Sequence, residues 1–297
     1  MFYVTSYYIF KQLEPNQQQQ IESDLYRIAE NENWNGLIIL GPEGINATMA
    51  NDNLVCVEKF KKWLLETFAT EDVLFKDSTC EKQPFRRFII HTREEIVTLG
   101  HPEMVPNGRC RHLSPEEWQA VIDSSEEYVL LDTRNFYETE VGVFKGAIDP
   151  KISTFGEFSN KIPELNLPKD KKILMYCTGG IRCEKAILAM EHAGYDNCYQ
   201  LEGGILAYFE KFPNKSFDGE CFVFDHRVAV DQNLEASKQY SLCPHCGNAG
   251  NVKITCSNCS EPAQVCQHCL DLEKDACSKN CQHHIERKRL ASRKVAA

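Results

Sequence analysis

The sequence has no long apolar run, no excess of positive charge and no cofactor fingerprint, and each absence narrows what the chain can do. No stretch approaches the ~20 consecutive apolar residues of a membrane-spanning helix, so a membrane is not expected as a partner. The opening "MFYVTSYYIF" has no basic residue before its apolar part and no small-residue cleavage site. Its β-branched and aromatic content reads as a first strand, not as a secretory signal. Lys and Arg number 33 against 43 Asp and Glu, a net charge of −10, so bulk electrostatic binding of DNA is not expected. From Ser237 onward, however, nine Lys/Arg face five Asp/Glu, while the first 236 residues hold 24 against 38. The basic "ERKRLASRK" near the end permits local contact with nucleic acid, although on charge alone a solvated terminus explains it more simply. No Rossmann glycine fingerprint and no 2-His-1-carboxylate set stands out, so no NAD, flavin or iron site can be named.

Cysteine is what the chain has in excess. Eight of the fifteen fall between Cys243 and Cys281, spaced Cys243-x2-Cys246-x9-Cys256-x2-Cys259-x6-Cys266-x2-Cys269-x7-Cys277-x3-Cys281. Without an export signal, reduced thiols with metal or catalytic duties are expected in place of disulfides, and the compartment is expected to be the cytoplasm. Two cysteines two residues apart can place both thiolates on one Zn²⁺, and two such pairs complete a tetrahedral site. Eight thiols suit two structural zincs, with His268, His283 or His284 as possible substitutes in the second set. "CPHCG" and "CSNC" read as knuckles, with Gly247 relieving the turn after the second ligand. Spacing does not say whether the pairs bind in succession or cross-braced.

Along the rest of the chain, residues 1–98 alternate strand and helix patterns in a β-α-β-β-α-β order, the ferredoxin-like (acylphosphatase-like) arrangement. "VLFKDS" and "FRRFIIHTR" are its expected last strands. The "GPEGIN" turn can present backbone amides to a phosphate, but a plain β-turn is the simpler reading; Arg86 and Arg87 track an RNA backbone or decorate a solvated strand. Residues 99–112 read as a linker. Residues 113–214 open on a capping box at Ser114, Pro115 and Glu117 and continue as alternating strands and helices, which implies a parallel sheet. Residues 215–297 carry "FDGECFVFDHRVAV" and the cysteine-rich module; Cys221 and His226 are in reach of the active loop on one reading and core on the other.

The sharpest local signal is "LMYCTGGIRCEK", a buried strand that delivers Cys177 into a glycine loop leading to a helix. Amides of such a loop converge on the sulfur, and the helix N-terminus adds positive potential; both favour thiolate. Gly179 and Gly180 let the loop curl, and Arg182 supplies a cation. A buried structural thiol does not account for the glycines and the arginine. A tyrosine-phosphatase pattern has five residues between Cys and Arg, whereas four separate Cys177 from Arg182, so a bound sulfur fits better than a phosphate. Cys183 has two readings, a resolving thiol at the loop mouth or a first-turn residue packed beneath the loop.

These residues carry a resemblance. "LLDTRNFYETEVGVFKGAI", "CTGGIRCEKA" and "LEGGI" resemble a rhodanese domain, with Asp132, Arg134, Glu138, Gly142 and Gly146 on pattern. The resemblance implies a sulfur-carrying Cys177, with Asp132 and Arg134 ordering loops; Thr178 stands where many rhodaneses carry Arg, which argues against thiosulfate binding. With "GPEGINAT", "EIVTLG", "FDGECFVFDHRV" and the cysteine tail, the chain to about residue 282 is similar to the tRNA uridine hydroxylase family of rhodanese-domain proteins. That similarity implies a tRNA-modifying oxidoreductase that uses molecular oxygen to convert the wobble uridine, position 34, to 5-hydroxyuridine, with Cys177 essential. The alternative is a sulfurtransferase that takes sulfane sulfur from a small donor as a Cys177 persulfide; a non-catalytic zinc scaffold is a third reading.

Overall fold

The computed structural model describes residues 1–71, 73–108 and 111–295, with side chains through Arg289; Arg109 and Cys110 of the expected linker lie outside the described residues. Two compact units are present, Met1–Cys221 with Asp231–Glu235, and Phe222–Val230 with Ala236 onward.

The first unit begins with β1 (Phe2–Phe10), α1 (Pro15–Glu32), β2 (Asn35–Gly41), β3 (Gly44–Asn51), α2 (Leu54–Phe68), β4 (Lys76–Cys80) and β5 (Phe88–Thr92). The sheet order is β4-β1-β3-β2-β5. The two final runs are thus separate strands on opposite edges: β4 pairs antiparallel with β1, and β5 parallel with β2. This adds a fifth strand to the expected ferredoxin-like set. Phe88 opens β5, so Arg86 and Arg87 sit exposed in the bend before it and not on a strand face. Strand side chains alternate between faces. Tyr7, Ile9, Ile38, Leu40, Ile45 and Ala47 point one way and bury Leu25, Phe60 and Leu64 of the two helices. Ser6 and Tyr8 therefore lie on the opposite face, joined there by Lys76, the cross-strand partner of Ser6. The Gly41–Gly44 turn is a tight hairpin: Gly44 has φ +136°, and a Cβ there would lie 1.9 Å from the Ile9 carbonyl.

The same unit continues with β6 (His112–Leu113), α3 (Pro115–Asp123), β7 (Tyr128–Asp132), α4 (Phe136–Thr139), β8 (Gly142–Phe144), α5 (Phe158–Leu165), β9 (Lys172–Tyr176), α6 (Ile181–His192), β10 (Cys198–Leu201), α7 (Gly204–Lys211) and β11 (Phe217–Gly219). Ser114 and Glu117 form the expected capping box. The sheet β6-β10-β9-β7 is parallel throughout, and β7 and β9 end side by side at Asp132 and Tyr176. Ligand sites of parallel sheets lie beyond such strand ends.

The two halves are pinned together by a buried ion triad. Lys185 of α6, with no exposed surface, lies 2.7 Å from Glu43 of the hairpin turn and 2.7 Å from Glu95. Glu43 also accepts the Ile96 amide at 2.7 Å, and Glu95 accepts those of Leu99 (3.0 Å) and Gly100 (2.9 Å). The "GPEGIN" turn is therefore a structural β-turn whose glutamate faces α6. In the same way "EIVTLG" is a strap that places Leu99 in the core of the parallel-sheet half.

Candidate active site and metal centres

Cys177 follows β9 directly and is 1 % exposed. Its Sγ accepts the Gly180 amide at 3.1 Å, and the amides of Arg182 and Cys183 also point at it. The helix begins at Ile181, so Arg182 and Cys183 belong to its first turn. Gly180 has φ +98° and packs against Tyr8; Gly179 is not in the left-handed region and instead leaves space toward Lys76, whose Cε lies 3.8 Å from where a Cβ would sit. Burial alone would raise the Cys177 pKa. The Cys183 thiol, the Arg182 charge and the loop amides outweigh it and pull the value down to about 5. The site therefore holds a thiolate at neutral pH.

Cys183 is not at the loop mouth. It is fully buried beneath the loop, 3.6 Å from the Thr133 hydroxyl, and burial, the hydrogen bond to Cys177 and the Cys177 charge push its thiol well up. It acts as donor to the Cys177 thiolate. Arg182 is likewise placed differently from a free loop cation: its guanidinium forks onto Glu138 at 2.5 and 2.8 Å, inside the protein. Burial would raise the Glu138 carboxyl, and Arg182 holds it below its ordinary value. Thr178 donates to the same carboxylate at 3.3 Å.

Asp132 and Arg134 stand behind the loop. Arg134, fully buried, donates Nε and Nη2 to Asp132 (3.0 and 2.7 Å) and Nη2 to the Gly142 carbonyl at 2.6 Å. That ties the end of β7 to β8. Gly204 of the "LEGGI" turn, φ +67°, sits so close that a Cβ would lie 2.5–2.8 Å from the Cys177 and Thr178 carbonyls and the Gly179 amide. From the same helix start, the Ile205 and Leu206 amides donate to the Cys177 and Thr178 carbonyls at 3.0 and 3.2 Å. Cys221, buried and pushed up to about 12 by desolvation, bonds Thr178. His226 is exposed.

Sequence reasoning missed what the N-terminal half brings. Tyr8 donates to Glu184 at 2.9 Å, and Lys76 donates to the Gly179 carbonyl at 3.2 Å. Leu74 covers Gly203. These partners lie 103 and 176 positions apart in the chain, and no local motif links them.

In the second unit the eight cysteines gather into two groups, Cys243, Cys246, Cys266 and Cys269, and Cys256, Cys259, Cys277 and Cys281, with the sulfurs of each group within 4.8 Å of one another. First and third pairs meet, as do second and fourth, so the arrangement is cross-braced. His268, His283 and His284 join neither group among the described residues. Both knuckles have one backbone design: Gly247 and Ser260 adopt φ +85° and +65° and donate to the Cys243 and Cys256 carbonyls at 2.9 Å each. A tetrahedron of Zn–S bonds of ~2.3 Å has S···S edges of about 3.8 Å. The Cys246–Cys266, Cys259–Cys277, Cys277–Cys281 and Cys259–Cys281 separations are 3.5, 3.5, 3.7 and 3.8 Å. The donor sets fit zinc.

Three family models match the chain: "UPF0176 acylphosphatase like domain" over residues 2–96, "Rhodanese-like domain" over 114–211 and "Rhodanase C-terminal" over 218–282. The parallel sheet and the amide-lined cysteine loop are thus those of a rhodanese-domain protein. A rhodanese-related protein of Thermoplasma volcanium is 26 % identical, with a TM-score of 0.30, and covers 35 % of this chain and 95 % of its own. Over the full length, a tRNA uridine(34) hydroxylase of Bdellovibrio bacteriovorus is 48 % identical over 291 residues, 96 % of this chain and 82 % of that one. A second, from a Picosynechococcus species, is 37 % identical over 274 residues, 91 % of this chain and 90 % of that one. The chain belongs to the tRNA uridine(34) hydroxylase family.

Proposed function

We propose that this protein is an enzyme that hydroxylates uridine 34 of tRNA at C5, with molecular oxygen as co-substrate and the Cys177 thiolate as the reacting group. The observation that supports it most is the combination of full-length similarity to named tRNA uridine(34) hydroxylases with a thiolate held ready at neutral pH. Inserting one oxygen atom at C5 leaves the second to be reduced to water by two electrons from an external reductant. Loop amides and the Cys183 thiol hold the sulfur anionic; Glu138 and Arg182 fix the loop; Asp132 and Arg134 fix the wall behind it. Gly179 and Gly180 leave room for Tyr8 and Lys76 to pack against the loop.

Each cysteine group would hold one structural Zn²⁺, and metal binding would supply much of the stability of a module with so small an apolar core. The exposed Arg86, Arg87 and Arg287 are suited to phosphate contact, and a tRNA substrate would place the enzyme in the cytoplasm. No helix among the described residues is long and apolar enough to cross a membrane. The test is the nucleoside content of bulk tRNA from cells with and without the gene. Loss of 5-hydroxyuridine-derived nucleosides is the expected result, and unchanged levels would refute the reading. A sulfurtransferase would instead release thiocyanate from cyanide and a sulfane donor.

A further inference from the structure

Arg182 helps to hold the Cys177 thiolate, but its guanidinium is at the same time forked onto Glu138 in a buried pair. The other cation at the loop comes from the N-terminal half. Lys76 is 5 % exposed, its Nζ lies 4.7 Å above the Tyr8 ring and 3.2 Å from the Gly179 carbonyl, and among the described residues it makes no ion pair. The charged groups facing it are Cys177 on the loop, Glu184 on α6 and Asp77 on its own strand. Glu184 is engaged by the Tyr8 hydroxyl and by His112 Nε2, both at 2.9 Å, and Asp77 by Lys61 at 2.6 Å. An ammonium taken out of water is costly unless an anion faces it.

We propose that Lys76 is a second counter-cation of the Cys177 thiolate beside Arg182, a positioning residue through which the N-terminal half completes the active site. The inference rests on Cys177 being the reacting group. Burial pulls Lys76 down to about 8, with Cys177 first among the charges that oppose the shift. Cys177 loses its proton near 5, so the thiolate–ammonium pair exists between about 5 and about 8. Hydroxylation should then follow a bell-shaped pH profile with limbs near those values.

The experiment titrates the ultraviolet absorbance of the thiolate in the full zinc-loaded chain, taken as the difference from the Cys177→Ser protein. Lys76→Met is expected to fold, since it removes a buried charge and keeps the volume, and to raise the Cys177 midpoint by about one pH unit. Lys76→Arg is expected to keep the midpoint low and to abolish the alkaline limb of the hydroxylation profile, because a guanidinium does not deprotonate in that range. A folded Met variant with an unmoved midpoint overturns the proposal. If that variant does not fold, an Arg variant that retains the alkaline limb overturns it. Failure of the functional reading would look different: Cys177→Ser would still support tRNA hydroxylation, whatever the titration shows.

Discussion

Replacing Lys185 by Met tests the joint between the two halves of the first unit. The substitution leaves Glu43 and Glu95, 4 % and 6 % exposed, without their shared cation. Removing one partner of a buried ion pair costs about 3–5 kcal/mol. Three backbone amides remain on the two carboxylates, so the lower end, about 3 kcal/mol, is expected. At 2–4 °C per kcal/mol for a unit of this size, the midpoint should fall by about 10 °C. Trp34, Trp63 and Trp118 all lie in the first unit, so tryptophan fluorescence on heating gives the midpoint, and in urea the free energy, of this unit and not of the cysteine module. The deficit should also depend on pH. Burial already raises Glu43, and without Lys185 it rises further above its unfolded value. The variant's loss is then complete well above that folded value and shrinks as pH falls through it, by up to about 1.4 kcal/mol per unit for one proton. A loss under about 1 kcal/mol at neutral pH, or one that does not change between neutral and mildly acid conditions, would refute the reasoning.

Gly204→Ala should disable the enzyme while leaving most of the fold, because the new methyl would strike the Cys177 and Thr178 carbonyls at a left-handed backbone position; hydroxylation within twofold of the parent would contradict this. Elemental analysis of the purified chain should give two zinc ions, and Cys246→Ser and Cys259→Ser should each remove one, since they lie in different groups. A strong chelator should collapse the hydrogen-exchange protection of the cysteine module and leave the tryptophan signal of the first unit unchanged. A single ion shared by all eight thiols would contradict the cross-braced arrangement.

Short-range pattern carried most of the elements. The buried strand before Cys177, the Ser114 cap and the loop-to-helix turn at Cys177 are written in contiguous residues, and the structure contains all three. The amide cradle was legible for the same reason, since sulfur and donors lie within six residues. What was not legible is what the fold assembles from afar. Glu138 takes up the charge of Arg182 from 44 positions away, and Lys76 reaches the loop across 103. Nothing in "KDSTC" distinguishes a lysine that will be buried from one that will be solvated. The runs that form β4 and β5 are adjacent in sequence, yet the sheet order sends them to opposite edges, which no local pattern shows. Near-identical spacing in the cysteine pairs, x2 in three and x3 in the last, left their partners open, and only the path of the chain between them sets the interleaving.

The central claim is that Cys177 carries the hydroxylation of uridine 34. It is tested most directly by returning the intact gene or its Cys177→Ser form to cells lacking it, then weighing the anticodon fragments of the tRNA by mass spectrometry. The intact gene should restore a heavier fragment carrying 5-hydroxyuridine or a nucleoside derived from it at position 34, and the serine form should leave that uridine unmodified. A full complement of the heavier fragment with Cys177→Ser would contradict the account.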